Sequence, residues 1–525
     1  MAGGVEKRPV KHPDFEVQVR EIFVSSTTSA TPQEPLSPTG VLASFRFAFS
    51  SPRRFRTEVL AGLVVALALI PESIAFSVLA GVDPKMGLFA SCTMAMTIAF
   101  TGGRPAMISA ATGAVALVIA PVVRDHGVEY FLATVILAGI IQIALSLLGV
   151  AKLMRFIPRS VMLGFVNALA CLVFFAQLPH LIDVPWMVYP LFALGIGIML
   201  FWPKLTAVIP APLIVIVALT AIVWIFGVKI PNVSDQGELP SSLPEFLIPN
   251  VPLTVETLKI IGPYALGMAL VGLMESLLTA KLVDDVTEVH SDKSREAAGQ
   301  GIANIVTAFL GGMGGCAMIG QTMINVKNSG ARTRLSTFLA GGFLLLLVVL
   351  LGDVVGKIPM AALVAVMIIV SIDTADWHSL NPRTLKFMPL SETIVMFVTI
   401  IATLATGNLA IGVILGVLTA MIMFARRVAH LVSVEKTTTN NISTYTVRGQ
   451  LFWASSNDMV YSFDYSDEAD QIIIDLTAAE IWDASTVATL DSIIHKYAAR
   501  DKTVEIIGLD GPSRDRLERL SGKLG

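Results

Sequence analysis

Two glutamate–serine pairs lie inside long apolar runs of the sequence, where a carboxylate needs a partner or a function. Glu72-Ser73 lies in "IPESIAFSVLAGV", and Glu275-Ser276 lies in "LMESLLTAKLVDD", 203 residues further along. An ionisable side chain in a membrane-like run is costly, so each glutamate is a candidate for binding an ion or exchanging a proton. Phe76 and Thr279 lie one helical turn beyond the two glutamates, on the same helix faces. The alternative is a structural carboxylate paired with a nearby Ser, Gln or backbone group.

A second pair of similar stretches is polar but lies in apolar surroundings. "AMISAATGA" at Ala106–Ala114 and "AMIGQTMIN" at Ala317–Asn325 each follow a glycine-rich lead. They predict two half-helices that begin near Ser109 and Gly320. A helix N-terminus presents free N–H groups and about half a positive charge, so two facing N-termini predict an anion site. The alternative is that the small residues only allow close helix packing. The side chains that could add hydrogen-bond donors are those of Ser109, Thr112, Gln321 and Thr322.

The composition is that of a membrane protein. The chain has 525 residues, of which 54% are hydrophobic and 15% charged, and its mean hydropathy is +0.73. A soluble domain carries about a quarter charged residues, so this low share predicts a chain that lies largely in a bilayer. The net charge of −3 gives no indication of nucleic-acid binding. Three separated cysteines in apolar runs argue against a disulfide framework.

Apolar windows of spanning length follow one another through residues 53–434 and predict fourteen membrane segments. Residues 1–52 lack the apolar core of a signal peptide and are rich in Pro, Ser, Thr and charge, which predicts a disordered cytosolic tail. The excess of Lys and Arg in one set of loops predicts that both termini are cytosolic. The predicted segments start near residues 58, 86, 107, 129, 159, 187, 208, 256, 297, 317, 335, 358, 391 and 408.

The near-equal spacing of the two pairs of stretches predicts that residues 53–230 and 256–434 are related halves of seven segments each. Because seven is odd, the second half must cross the membrane with opposite topology. Such inverted repeats are typical of secondary transporters, which bind substrate near the midplane. Two ionised glutamates with no Lys or Arg at the same depth would repel an anion, unless a proton or cation binds with it. The sequence therefore predicts symport.

The character of the chain changes in residues 435–525. Strand-like runs at 445–453, 471–476 and 504–509 alternate with helical patterns at 486–499 and 513–524. This alternation predicts a small cytosolic α/β domain. The run contains no glycine-rich phosphate loop and no His/Cys cluster, so we expect no enzyme activity, no cofactor and no metal site.

The sequence resembles the SulP family of anion transporters from about Phe55 to Leu524. The resemblance rests on "IPESIAF" at Ile70–Phe76, "LAGVDPKMGL" at Leu79–Leu88, "GLMESLLT" at Gly272–Thr279 and "NVKNSGARTRLS" at Asn325–Ser336. The tail looks like the family's STAS domain. The resemblance implies an α-helical polytopic membrane domain with a 7+7 inverted repeat, divided into core and gate bundles. It also implies an elevator-like motion of the core and a homodimer.

The same resemblance implies the residues of the site. Coupling of a proton or sodium falls on Glu275 and Thr279. In the tail, Ser485 lies where bacterial anti-sigma-factor antagonists carry a phosphorylated serine, although the position also suits an ordinary first helical turn. Substrate binding falls on segment 1 and on the starts of segments 3 and 10, at Glu72, Phe76, Ser109, Ala110, Ala111, Thr112, Gly320, Gln321 and Thr322.

Three departures from the family's pattern bear on coupling. Sodium-driven bicarbonate members resemble this chain in having a Thr one turn beyond the acid, but they also have a Thr where this chain has Ile319. The missing oxygen favours a proton over sodium. Many relatives carry Gln at the position of Glu72, which argues against an uncoupled exchanger or channel here. Some animal relatives carry a basic residue near Thr322, and its absence leaves the helix ends as the main positive field.

We therefore expect a proton-coupled importer of a small, sulfate-like inorganic oxyanion in a bacterial-type inner membrane. Bicarbonate transport coupled to sodium or protons, dicarboxylate transport, and an uncoupled anion exchanger or channel remain alternatives. A nucleobase transporter would share the architecture but not the STAS-like tail, and a signalling scaffold would act through that tail. The expected partners are the anion, the coupling ion, the bilayer, a second copy of the chain and a cytosolic protein bound by the tail. No nucleic-acid partner is expected.

Overall fold

The computed structural model describes residues 38–149, 157–205, 210–240, 242–429 and 432–523. Within these ranges, fourteen helical segments follow one another in the predicted order and keep the predicted numbers. Segments 1 to 7 are Pro52–Ala80, Pro84–Thr101, Gly113–His126, Val128–Leu147, Arg159–Gln177, Val188–Leu205 and Ala211–Phe226. Segments 8 to 14 are Val255–Thr287, Lys293–Phe309, Ile319–Met323, Arg334–Gly356, Met360–Thr374, Leu390–Thr406 and Leu409–Ala429.

Helix length separates the spanning segments from the short ones. Seven helices of the described ranges are long and apolar enough to cross a bilayer. Segments 7, 12 and 13 are apolar but shorter. Segment 3 has 14 residues, and segment 10 has five, followed by a π-helical turn at Ile324–Asn328. The two short segments are the ones that carry the repeated polar stretches, as predicted. Two further short helices, Trp377–Leu380 and Pro382–Phe387, connect segments 12 and 13.

Ordinary capping chemistry sets the ends of the long segments. The side chain of Ser51 accepts a hydrogen bond from the N–H of Arg54, and Pro52 follows as the first helical residue of segment 1. Gly81 ends that segment in the left-handed conformation, with φ of 74°. Thr254 caps segment 8 in the same way as Ser51 caps segment 1. The two longest segments, which carry the two glutamates, therefore begin at equivalent caps.

The packing of the segments repeats between the two halves. Segment 4 packs on segment 9, and segment 11 packs on segment 2; likewise segment 1 packs on 11, and segment 8 on 4. Glycines allow both crossings: a Cβ on Gly139 would lie 2.6 Å from the carbonyl oxygen of Gly301, and one on Gly341 would lie 2.6 Å from that of Cys92. The 4–9 contact thus corresponds to the 11–2 contact, and the 1–11 contact to the 8–4 contact, because segments seven apart are equivalent. An inverted repeat requires this correspondence.

These contacts divide the membrane region into two bundles. Segments 1–4 and 8–11 pack with one another and form the core bundle. Segments 5–7 and 12–14 form the gate bundle, in which segment 13 packs on 14 and 5, and segment 12 packs on 6 and 5. The chain is therefore a polytopic helical membrane protein with a 7+7 inverted repeat, as predicted.

The N-terminal region differs in part from the prediction of a disordered tail over residues 1–52. Residues 1–37 lie outside the described ranges. Val41–Ala48 form a helix that packs against segment 11. The hydroxyl of Ser44 accepts the N–H of Arg334 at 3.0 Å, and the Arg334 guanidinium donates to the carbonyl of Thr39 at 2.9 Å. Arg334 is 1% exposed, and its need for acceptors explains why this stretch is ordered.

The tail forms the predicted α/β domain, with one more strand than the sequence indicated. Strands β1 (Ser109–Ala110) and β2 (Cys316–Ala317) lie in the membrane region, and the tail contributes β3 (Ser433–Thr439), β4 (Ile442–Leu451), β5 (Gln471–Ile481) and β6 (Thr503–Ile507). The four tail strands form one sheet in this order, with β3 antiparallel to β4 and the other neighbours parallel. The helices are Trp453–Met459, Ala484–Ala498 and Gly511–Leu520. The largely polar β3 was not predicted, because six of its seven residues are exposed and it shows no hydrophobic alternation.

Candidate functional site

The two repeated stretches meet at the centre of the core bundle. Strand β1 (Ser109–Ala110) pairs antiparallel with strand β2 (Cys316–Ala317), and Ser109 lies opposite Ala317. The N–H of Ala317 also donates to the hydroxyl of Ser276 at 3.0 Å, which ties β2 to segment 8. Non-helical backbone is tolerated inside a membrane when it is buried in protein and its polar groups are paired. This pairing satisfies that requirement and joins the two halves of the chain.

Two side chains of segment 9 hold the crossing in place. Gln300 donates to the hydroxyl of Ser109 at 2.6 Å. Asn304 accepts the N–H of Gly315 at 2.9 Å and donates to its carbonyl at 3.1 Å. A Cβ on Gly315 would lie 1.9 Å from the carbonyl oxygen of Ala110, so only glycine fits there. Gln300 and Asn304 lie one turn apart on segment 9, and the sequence alone does not connect them to the site, because their partners come from distant parts of the chain.

Both short helices begin next to this crossing. Segment 3 starts at Gly113, and its first intrahelical bond runs from Ala116 to the carbonyl of Thr112 at 2.9 Å. In segment 10, the corresponding bond runs from Thr322 to Met318 at 3.1 Å. No side chain of the described residues caps either helix. The first amides of both helices are therefore left for water or a ligand. Segment 3 starts at Gly113, four residues after the half-helix start predicted near Ser109, because Ser109 and Ala110 form β1 instead of helix.

A cavity of about 1250 Å3 lies between the core and gate bundles, and both helix starts reach it. Its gate side is apolar at Phe165, Leu169, Val173 and Met367 and becomes polar only towards the end of segment 12, at Ser371, Asp373 and Thr374. It extends to the C-terminal ends of segments 6 and 12, at Pro203 and 373–377, and to the turn after segment 10, at Asn328. Because even-numbered segments all end on one side of the membrane, the cavity opens on the side where segment 14 leads into the tail domain. Its core side includes Glu72, Phe76, Thr112, Glu275, Gly320 and Gln321.

Glu72 is buried at the cavity wall and hydrogen-bonded across the two halves. Its carboxylate accepts a hydrogen bond from the side-chain amide of Gln321. Phe76, one turn further along segment 1, packs against the start of segment 3, where a Cβ on Gly113 would lie 2.8 Å from the Phe76 ring. The structure thus brings Glu72, Phe76 and Gln321, three of the residues predicted to bind substrate, to one wall of the cavity.

Glu275 faces the same cavity from segment 8. Its Oε2 accepts a hydrogen bond from the thiol of Cys316 at 2.9 Å. The Cys316 sulfur in turn lies 3.1 Å from the hydroxyl of Thr112. Thr279 is fully buried and is not among the residues that line the cavity, and its hydroxyl donates at 2.8 Å to the carbonyl oxygen of Glu275 in its own helix. The sequence did not indicate a role for Cys316, since its neighbours in space come from distant parts of the chain.

Four predicted substrate contacts lie behind the cavity wall, where they hold the crossing together. The hydroxyl of Ser109 is used by Gln300, and Ala110 lies in the β1–β2 pair. The N–H of Ala111 donates to the hydroxyl of Ser91 at 3.2 Å. The hydroxyl of Thr322 accepts the N–H of Ile108 at 3.0 Å. All four residues are buried. Buried backbone groups outside a helix need hydrogen-bond partners, and the polar groups of these residues are used in this way and do not reach the cavity.

The cavity wall carries acids but no basic side chain among the described residues. Asp373 and Asp376 line its mouth, in addition to the two glutamates deeper inside. Arg104 is 4% exposed and lies outside the lining, where it forms an ion pair with Asp284 at 3.2 Å. Within the described ranges, the helix starts and side-chain amides are therefore the groups of positive polarity that face the cavity.

Ser485 lies in the tail domain, away from the residues that line the cavity. It is exposed in the first turn of the Ala484–Ala498 helix. Asp483 caps this helix by accepting the N–H and the hydroxyl of Thr486, both at 3.0 Å. The helix start is thus complete without Ser485, whose hydroxyl faces solvent.

The same architecture occurs in known transporters. Residues 55–189 and 183–399 match the Sulfate permease family, and residues 433–522 match the STAS domain. YbaR of Bacillus subtilis (strain 168), named as a candidate sulfate transporter, is 49% identical over 466 residues, or 89% of this chain and 97% of that protein. The Bicarbonate transporter BicA of Picosynechococcus is 25% identical over 523 residues, or 89% of this chain and 91% of that protein.

Solved structures show the same fold. The transmembrane domain of a cyanobacterium bicarbonate transporter BicA aligns with a TM-score of 0.60 and 25% identity, over 71% of this chain and 98% of that one. The murine Solute Carrier 26 family member A9 anion transporter, in the inward-facing state, aligns with a TM-score of 0.79 over 99% of this chain and 96% of that one. Its 15% identity supports a likeness of fold alone. The family match and the 49% identical relative show that this chain belongs to the Sulfate permease family and carries a C-terminal STAS domain.

Proposed function

We propose that the protein is a secondary active transporter that imports a small inorganic oxyanion, with sulfate as the favoured substrate, together with a proton. The proposal rests on one observation above all: two buried glutamates and two open helix starts face a single cavity whose described lining contains no Lys or Arg. The helix starts attract an anion, while ionised carboxylates repel it. Uptake of a proton by a glutamate removes the repulsion, so the anion and the proton bind together.

A proton suits Glu275 better than sodium does. Hard cations prefer several oxygen ligands at one place. The atom that bonds to the carboxylate here is the sulfur of Cys316, and Thr279 is buried outside the cavity lining. Ile319, at the start of segment 10, offers no side-chain oxygen. These three features leave Glu275 with too few oxygen partners for sodium, whereas protonation needs none.

The two bundles support an elevator-like motion. The polar contacts to the anion come from the core bundle, whereas the facing gate side chains Phe165, Leu169 and Val173 are apolar. An apolar wall can slide along the core without breaking hydrogen bonds to the bound anion. The cavity opens on the tail side, so we assign the structure to the state from which the anion is released to the cytosol.

The chemistry of the cavity suits a small oxyanion, and the relatives favour sulfate among the oxyanions. Backbone N–H groups recognise negative charge and accept a tetrahedral oxyanion from several directions. The relative that is 49% identical is named as a candidate sulfate transporter. Bicarbonate would bind the same N–H groups, and it is the substrate in the name of a 25% identical relative. Direct measurement has to separate the two anions.

The orientation, the assembly and the role of the tail are proposed from the charge of the loops and from the family resemblance. We place the protein in a bacterial cell membrane with both termini in the cytosol, as a homodimer. The STAS domain would then meet cytosolic proteins, and the exposed Ser485 is a candidate site of regulation at the start of its helix. Labelling of single cysteines introduced into the tail and into the 229–256 loop, with a membrane-impermeant maleimide, tests the orientation. Cross-linking in native membranes tests the dimer.

The decisive experiment is uptake into proteoliposomes that contain the purified full-length protein. Labelled sulfate, bicarbonate and succinate are offered separately, each with an imposed proton gradient, an imposed sodium gradient or neither. We expect sulfate to accumulate only with the inward proton gradient. Accumulation driven by sodium would reject the proton assignment, and downhill flux that ignores both gradients would identify an uncoupled exchanger or channel. Uptake of bicarbonate without sulfate would change the substrate but not the coupling.

A further inference from the structure

Three side chains from different elements form a continuous hydrogen-bonded chain beside the cavity. The thiol of Cys316, in β2, donates to the carboxylate of Glu275, in segment 8, at 2.9 Å. The same sulfur lies 3.1 Å from the hydroxyl of Thr112, the residue just before segment 3. Glu275 and Thr112 line the cavity, and Cys316 is fully buried behind them. The thiol therefore connects the carboxylate to the helix start that faces the anion.

The direction of these hydrogen bonds depends on the charge of Glu275. An ionised carboxylate only accepts, so the thiol must donate its S–H to it. The sulfur then has only lone pairs to offer Thr112, and the threonine O–H donates to the sulfur. In this arrangement the Thr112 oxygen presents lone pairs to the cavity, which repels an anion.

Protonation of Glu275 allows the chain to reverse. The carboxylic acid donates its O–H to the Cys316 sulfur, and the S–H turns to donate to the Thr112 oxygen. The O–H of Thr112 is then released from the sulfur and can donate to an anion in the cavity. The only proton gained is the one that Glu275 takes up, because the S–H and O–H groups rotate without transferring their protons.

We propose that Cys316 is a positioning residue that converts protonation of Glu275 into a hydrogen-bond donor at the anion site, the hydroxyl of Thr112. This inference rests on the proposed proton symport and supplies its molecular link. It explains how a proton on segment 8 strengthens anion binding at segment 3 without a conformational change. Among the described residues, Thr112 and Glu275 have no other side-chain hydrogen-bond partner than Cys316.

Among the described residues, few other ionisable side chains lie near the hydrogen-bonded chain of Glu275, Cys316 and Thr112. Glu72 lies on the same cavity, but its carboxylate is bonded to Gln321 instead. On segment 8 itself, the nearest ionisable side chains are Tyr264 and Lys281. The ionisable side chains of the other elements that pack against segment 8 lie near the ends of those elements: Glu129 and Tyr130 on segment 4, Arg124–His126 on segment 3, Lys293, Arg295 and Glu296 on segment 9, Lys327 after segment 10, and Arg426 and Arg427 on segment 14.

The test is the pH dependence of sulfate binding by the full-length protein in nanodiscs, measured with labelled sulfate. We expect the wild-type affinity to rise on acidification. In Cys316→Ala the increase in sulfate affinity on acidification should be about fivefold smaller than in the wild type, which is the effect of one neutral hydrogen bond. Cys316→Ser should keep the rise, because a hydroxyl also donates and accepts. Cys92→Ala is the matched control, since Cys92 is 1% exposed but has no side-chain partner of this kind among the described residues.

Infrared difference spectra provide a second readout, which a packing role for the thiol would not move. Acidification should shift an S–H stretching band in the wild type and in Cys92→Ala, and this shift should be absent in Cys316→Ala. If wild-type sulfate binding ignores pH and uptake ignores a proton gradient, the proposed function fails and this inference fails with it. If the wild type responds to pH and Cys316→Ala responds equally, the inference is wrong while proton symport stands.

A variant of Thr112, at the other end of the hydrogen-bonded chain, covers the case in which Cys316→Ala does not fold. Thr112→Val removes the hydroxyl, so its increase in sulfate affinity on acidification should also be about fivefold smaller than in the wild type. Thr112→Ser should keep the full increase. Where both single variants fold, the double variant should lose no more than either one, because both break the same chain. Additive losses would show that the two residues act separately and would overturn the proposal.

Discussion

Gln321 donates its side-chain amide to the carboxylate of Glu72, and the two residues come from opposite halves of the chain. Glu72 is 6% exposed and Gln321 is 4% exposed, and both line the cavity. The bond connects segment 1 with the start of segment 10, one of the two helix ends proposed to bind the anion. A charge change at either residue should therefore be felt at the site.

Gln321→Glu should impair sulfate uptake severely. The substitution replaces a donor by a second carboxylate that faces Glu72, and losing a buried hydrogen bond to a charged group typically costs about 1.5–3 kcal/mol, or roughly tenfold to a hundredfold in affinity. Uptake by proteoliposomes measures the loss. The double variant Glu72→Gln/Gln321→Glu restores one amide and one carboxylate and should recover part of the uptake. Equal activity of the single and double variants would contradict the role of this pair.

Glu275→Gln should abolish proton-driven accumulation while sparing exchange of sulfate for sulfate. The amide keeps the shape of the side chain but cannot take up a proton. Accumulation under a proton gradient and counterflow without a gradient are measured on the same preparation. Glu256→Gln is the matched control, because Glu256 is an exposed residue in the first turn of the same helix. Retention of proton-driven accumulation by Glu275→Gln would remove this residue from the coupling step.

Substitution by alanine should lower the stability at Gly315 but weaken sulfate binding at Gly320. Gly315→Ala places a Cβ 1.9 Å from the carbonyl oxygen of Ala110, which forces β1 and β2 apart. Such overpacking typically costs about 1–3 kcal/mol or more, so the purified variant should unfold at lower temperature. Gly320→Ala meets nothing within 4 Å and should fold normally, but its methyl group should weaken sulfate binding at the cavity. Normal thermal stability of Gly315→Ala would contradict the close approach at this crossing.

Asp467 should make the tail domain sensitive to acid. Burial by itself would raise the pKa of Asp467, but hydrogen bonds from Ser443 and Lys436 outweigh it and lower the pKa from 3.8 to about 2. A group whose pKa is lowered by folding stabilises the folded state fully above its unfolded pKa, and this stabilisation is lost as the pH falls through the folded pKa. The Lys436 ammonium lies 2.9 Å from the Asp467 carboxylate, which is the source of part of this effect.

Asp467→Asn should therefore destabilise the tail domain at neutral pH by about 1–3 kcal/mol and have little effect near the acid end of the range. Limited proteolysis of the full-length protein across this pH range, followed by mass spectrometry, measures opening of the tail. Glu468→Gln is the control, since Glu468 is the exposed neighbour of Asp467. A destabilisation of the Asp467→Asn variant that does not change with pH would indicate a packing effect in place of the ion pair.

Much of the architecture was predictable because lipid imposes a simple pattern on the sequence. Fourteen apolar runs predicted fourteen segments, and the observed helices begin within about six residues of the predicted starts. Matching polar stretches at nearly equal spacing predicted the inverted repeat. Local sequence patterns failed to predict structure that depends on contacts between distant residues. The Val41–Ala48 helix is held by Arg334, almost 300 residues later, and nothing near residue 44 indicated that partner.

The sequence by itself determined the membrane fold, the two-fold repeat and the presence of two glutamates inside apolar helices, because each of these is a property of residue type and spacing. The tertiary structure alone decided which polar groups face the cavity. Pairing of β1 with β2 buries Ser109 and Ala110, while Thr112 and Gln321 remain at the cavity wall. It also places Cys316 between Glu275 and Thr112. Such contacts join distant parts of the chain, and buried backbone groups claim their partners before a ligand can.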